Sequence, residues 1–206
     1  MRWWQDMSRR ARLDALVRDY HEHQRDVSNP YRLAAWLKHY RTLPSVKEAV
    51  TQAAMAVGPG GLKHPHERRR SHETLSEVKR RLLRKLEQLE RSMTFAKVHL
   101  LVDRVIRPVK DVSDLTIYDA ALRIAAYLRK LPTEVYLHNG AAEGYSHLFQ
   151  NAPVPKVVPR GQFDDAIGRL HAYQIEDFLC IFKDDFEPDG KPPRSRCHGL
   201  VRRHIC

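Results

Sequence analysis

The chain has 206 residues, 42% of them apolar and 30% charged, the make-up of a folded globular protein rather than a disordered one. Lys and Arg number 36 against 25 Asp and Glu, a formal net charge of +11 with a sequence pI near 9.8. Arg123 and Arg129 interrupt the longest apolar runs far short of a membrane span, and the N-terminus around Trp3, Trp4, Arg9 and Arg10 lacks the apolar stretch of a secretory signal.

A cytoplasmic protein with no membrane association is therefore expected. Cys180, Cys197 and Cys206 are too few for a disulfide scaffold and are expected as reduced thiols. The excess of cations points to a polyanionic partner, with nucleic acid, DNA first, the simplest candidate.

In chain order, Met7, Leu13, Leu16, Val17 and Tyr20 recur at helical spacing and predict a helix from Asp6 to about Arg25. Ser28-Asn29-Pro30 supplies a cap and a first-turn proline for a second, with Leu33, Trp36, Leu37 and Tyr40 on its apolar face and Pro44 beyond its end. Ser45 with Glu48 makes a capping box for a small-residue helix through Ala53 and Ala54, and Gly58-Pro59-Gly60-Gly61 breaks the chain.

The next segment, Lys63-His64-Pro65-His66-Glu67-Arg68-Arg69-Arg70, is the most cationic short stretch in the protein. A long helix is expected from about Ser71 to Arg91, with Leu75, Val78, Leu82, Leu86 and Leu89 on one side and Lys79, Arg80, Arg81, Arg84 and Lys85 around the rest. Another should run from about Met93 to Ile106. After a turn and cap over Val109 to Leu115 comes a helix from Leu115 to Leu131. Val135 to His138 reads as a brief extended or single-turn element, Asn139-Gly140 as a turn, and Ala141 to Phe149 as a short helix. Prolines 153, 155 and 159 mark an irregular crossing before helices near Phe163 to Leu170 and Tyr173 to Lys183.

The pattern predicts an all-α protein, a multi-helix orthogonal domain. The segments 1–61 and 62–184 are read as one integrated helical domain, and 185–206 as a flexible basic tail. In that tail Cys197-His198 and His204-x-Cys206 match no common zinc-knuckle spacing. Trp3 and Trp4 read as a packing anchor.

The turn and helix from Asp111 through Ile124 resemble the second half of a helix-hairpin-helix element, as in DNA glycosylases of the endonuclease III type. The resemblance implies that backbone N–H groups at the start of that helix hold a phosphate oxygen. Asp111 and Ser113 stand where the family has its two turn glycines, and Tyr136 stands where it has a catalytic aspartate. The lysine of bifunctional members would fall near Leu115. The resemblance thus implies the scaffold without the base-excision chemistry. The chain is also similar, over about residues 33–184, to a family of uncharacterised bacterial proteins. Its Tyr-Asp-x-Ala-Leu-Arg-Ile, Val-Tyr-Leu-His and Ile-Glu-Asp-x-Leu-Cys-Ile motifs fall here at Tyr118 to Ile124, Val135 to His138 and Ile175 to Ile181.

The expected nucleic-acid contacts are Lys63, His64, His66, Arg68, Arg69, Arg70, Lys79, Arg80, Arg84, Lys110 and Ser113, touching phosphates without reading sequence. His64, His66 and His72, with Glu67 and Glu73, could be spaced for a metal, but a solvated basic loop is the plainer reading, and neither metal nor cofactor is expected. Tyr118, Asp119 and His138 are the candidates for catalysis, although Asp119 and Arg123, four apart on a helix, first suggest an ordinary ion pair. An enzyme acting on nucleic acid, or a subunit docking an acidic protein partner, are the competing readings.

Overall fold

The computed structural model describes residues 8–186. In chain order its α-helices are α1 (Arg9–Arg25), α2 (Leu33–Arg41), α3 (Val46–Ala54), α4 (His72–Leu83), α5 (Leu86–Glu90), α6 (Phe95–Ile106), α7 (Asp114–Leu128), α8 (Asn139–Leu148) and α9 (Ala172–Ile181). The strands β1 (Glu134–Tyr136) and β2 (Val157–Pro159) pair antiparallel, with Val135 opposite Val158. The protein is mostly helical, as the periodicity predicts, and none of the described helices is long and apolar enough to cross a membrane. Trp3, Trp4 and the stretch from Glu187 to Cys206 lie outside the described residues. Cys180, expected as a reduced thiol, is disulfide-bonded.

Hydroxyl caps begin most of the longer helices. The Ser8, Ser45, Ser71, Thr94 and Ser113 oxygens each accept an N–H of the first turn of α1, α3, α4, α6 and α7. The expected long helix over 71–91 is two helices: at Arg84 and Lys85 the amides bond to carbonyls three residues back, Arg81 and Leu82. Neither glycine nor proline marks that break. The brief extended element at Val135 is β1, and its partner β2 lies in the proline-rich crossing. Of the helix expected near 163–170, a single 3₁₀ turn at Ile167–Arg169 forms.

The chain groups into two units, one built from residues 33–132 and the other from the segments on either side. In the flanking unit α1, α8 and α9 surround an apolar core with Tyr20, Val135, Ile175, Phe178 and Leu179 fully buried. The Tyr20 hydroxyl donates to Asp177 at 2.9 Å and its ring meets Phe178 edge-on, fixing α1 on α9. α8 and α9 approach so closely that a Cβ on Gly144 would lie 2.2 Å from the Leu179 carbonyl oxygen, so only glycine fits there.

In the central unit α7 is the axle. It packs against α2, α3 and α6, and from Thr116 to Ala126 every residue but the half-buried Asp119 is buried, Arg123 being the charged residue among them. α3 and α6 also pack on α4. Gly58 permits the chain after α3 to pass against the Trp36 ring, which a Cβ would overlap at 2.6 Å.

Candidate functional site

An arginine on the buried side of a helix must find counter-charges. Arg123, 6% exposed, finds two. Its Nη1 and Nη2 donate to Glu67 Oε1 and Oε2 at 2.8 and 3.2 Å, a bidentate pair, and Nη2 also donates to Asp119 Oδ2 at 3.2 Å. The guanidinium lies 5.0 Å from the centre of the Trp36 ring, in the range of a cation–π contact. Burial disfavours its charge, but Glu67 and Asp119 more than offset this and raise its pKa. Glu67 responds in kind: burial pushes its carboxyl upward, Arg123 pulls it down, and the net result is a lowered pKa and a carboxylate.

The expected Asp119–Arg123 ion pair forms, as one edge of a buried network. His64 completes it, with Nδ1 3.4 Å from Glu67 Oε2 and its ring edge-on to Trp36 at 4.7 Å. The expectation of a solvated histidine loop fails at this residue. His64, Glu67 and Asp119 bring one ligand-type atom each within 4.8 Å of one another, but the Arg123 guanidinium already occupies both carboxylates as their cation.

Burial lowers the His64 pKa from the ordinary 6.5 because the imidazolium is penalised there. The unfolded chain then takes up the proton first as the pH falls, so the contribution of His64 is fully present above about 6.5 and is lost below it. Urea denaturation from neutral pH downward is expected to show stability falling more steeply in the wild type than in His64→Phe. Equal slopes would refute this.

The network has a geometric consequence for the cationic stretch. Its start is tied down by an antiparallel bridge between Val57 and Lys63 and by the His64 amide donating to the Ala56 carbonyl at 2.9 Å. Pro65–Arg69 then forms a 3₁₀ turn. With about three residues per turn, turning Glu67 inward to Arg123 sends its two successors outward. Arg68 and Arg69 are accordingly exposed. Arg70 donates from Nη2 to Ser113 Oγ at 3.3 Å, reaching the residue that caps α7.

A second contact, from Arg81 Nη1 to the Val105 carbonyl at 3.5 Å, fastens α4 to the end of α6. Together the two contacts lay the α6–α7 connection alongside α4, with exposed Lys110 between the fastened points. In that connection Asp111 takes φ 65°, the left-handed conformation glycine adopts without strain.

Of the other expected contacts, Arg80 is partly neutralised. It shares Glu77 with Arg81, and together they draw that carboxyl down to a pKa of about 2; Arg107, at the end of α6, binds both Asp103 and Asp114. Lys63 and Lys79 are half-buried, Arg84 is exposed at the end of α4, and His66 lies in the 3₁₀ turn. The charge is unevenly divided. Residues 33–132 contain 20 Lys and Arg against 10 Asp and Glu, whereas the flanking unit contains 16 against 15.

Of the residues considered for catalysis, Tyr118 and Asp119 belong to the central unit and His138 to the flanking one, where its Nε2 lies 3.5 Å from Glu176. Glu67, Arg123 and Trp36 each have another role in the sequence pattern, as a possible metal ligand, the partner of Asp119 and an apolar-face residue, and their meeting in one network is what the pattern does not foretell. Two signals mark them: a lone acid inside a cationic run, and a lone arginine in a helix of alanine, isoleucine and leucine. No family model, curated protein or solved structure matches this chain.

Proposed function

We propose that the central unit binds nucleic acid, DNA in the first place, through phosphate contacts from the 63–70 segment, α4 and the α6–α7 turn. The observation that carries this reading is the concentration of charge: almost all of the molecule's positive excess belongs to residues 33–132. The Arg70–Ser113 contact supports it by bringing the cationic segment to the start of a long helix, where backbone N–H groups and the helix dipole favour an anion. Asp111 gives further support, because its left-handed backbone is the one a helix-hairpin-helix turn would require of glycine. Its carboxylate opposes a phosphate at that point, which shifts the expected contacts toward Arg68, Arg69, Lys79, Arg84 and Lys110.

Binding of this kind is insensitive to sequence. Trp36, Tyr40, Phe95 and Tyr118 are buried and Tyr127 is half-buried, so no aromatic of the unit is fully exposed as a platform for bases. Gel-shift titration with a mixed-sequence DNA duplex at low salt is expected to show retardation that different sequences compete away equally. Affinity should fall steeply with salt, by about 0.9 in log K per phosphate contact for each unit of log salt. Unretarded duplex at low salt would end this reading.

A further inference from the structure

Taking the nucleic-acid reading as its basis, we propose that Glu67 is a positioning residue for polyanion binding: anchored on Arg123, this buried carboxylate holds the 64–70 segment so that Arg68 and Arg69 project to the ligand. The claim runs against simple charge counting, which makes any acid within a cationic run a hindrance to an anionic ligand. Three features argue for it. Glu67 is 3% exposed and fully engaged by the guanidinium, so its charge is spent inside the molecule and not at the surface. Glu67 is in the middle of the 3₁₀ turn whose geometry turns its two successors outward. Arg123, the partner, belongs to the most buried helix of the unit and is itself held by Asp119 and the Trp36 ring, so the anchor is rigid. A segment of six polar or charged residues and one proline would otherwise sample many conformations and lose entropy on each phosphate contact.

The effect expected for Glu67 runs opposite to its change in charge, which makes the test sharp. Glu67→Gln and Glu73→Gln each remove one negative charge from the same stretch of chain, and Glu73 is exposed in the first turn of α4. With a short fluorescein-labelled DNA duplex, E73Q is expected to bind as tightly as wild type or more tightly. E67Q is expected to bind several-fold more weakly, with a salt dependence shallower by about 2 in slope, the loss of two phosphate contacts at about 0.9 each. Arg68→Ala/Arg69→Ala should flatten the wild-type slope by the same amount and add little in the E67Q background, the non-additivity of a coupled pair.

Arg123→Lys keeps the total charge and a buried cation but gives up the bidentate grip, and it should weaken binding in the same direction. It carries the test if E67Q loses the wild-type far-UV dichroism. A merely structural role for Glu67 would lower the unfolding midpoint but leave the salt slope of the folded variant at the wild-type value. That result, or E67Q tightening binding as E73Q does, would overturn the proposal while leaving nucleic-acid binding in place. Failure of the wild type to bind any duplex would overturn both.

Discussion

Arg123→Ala is expected to destabilise the central unit by about 3–5 kcal/mol, the range for removing one partner from a buried ion pair. The cost comes from what remains. Glu67 and Asp119, each with a carboxylate oxygen on the same guanidinium nitrogen, would face one another without their common cation. Trp36 would lose the group stacked over it, and a cavity would open beside a helix that is otherwise close-packed. Carboxylates so placed raise their pKa until one protonates, so the variant should recover part of its stability as the pH is lowered toward the ordinary carboxylate range, opposite to the wild type. Urea denaturation at neutral and mildly acidic pH reads both effects. A loss below about 1 kcal/mol would mean that water reaches the pair and that the network is not a buried anchor.

Phe178→Ala in the flanking unit should cost a comparable amount, about 3–5 kcal/mol, for a different reason. Phe178 is fully buried, and its ring meets Tyr20 at 5.8 Å, Phe182 at 5.1 Å and Phe186 at 5.6 Å, joining α1 to the end of α9. Truncation removes apolar contact and leaves a void between neighbours that are fixed by their own bonds, among them the Tyr20 hydroxyl on Asp177. Thermal and urea unfolding should show the loss, with the Tyr20 environment in near-UV dichroism altered. Phe178→Leu, which fills most of the volume, should recover much of it.

The helical framework was legible because its causes are local. Leu75, Val78 and Leu82 mark the buried side of α4 by their spacing alone, and Ser45 and Ser113 announce the starts of α3 and α7 through caps that act within four residues. The cationic segment was legible too, as composition. Local pattern failed where the structure depends on packing. The break at Arg84 carries no glycine or proline, and β1 and β2 are each three residues long and exist only because they pair with one another. The histidine run looked solvated because its neighbours are charged. The ring of His64 is nonetheless turned against Trp36, a residue 28 positions earlier.

What the sequence by itself determined is the helical character of the chain, most helix starts, and the excess of positive charge. Each follows from side-chain spacing, capping chemistry or simple counting. Only the tertiary structure decided that Glu67 meets Arg123 across 56 positions and that Arg70 reaches Ser113 across 43. Whether a charge is buried or exposed depends on which helix faces close on one another. That choice is made by the burial of most of the α7 surface against α2, α3 and α6, and no local run of residues contains it.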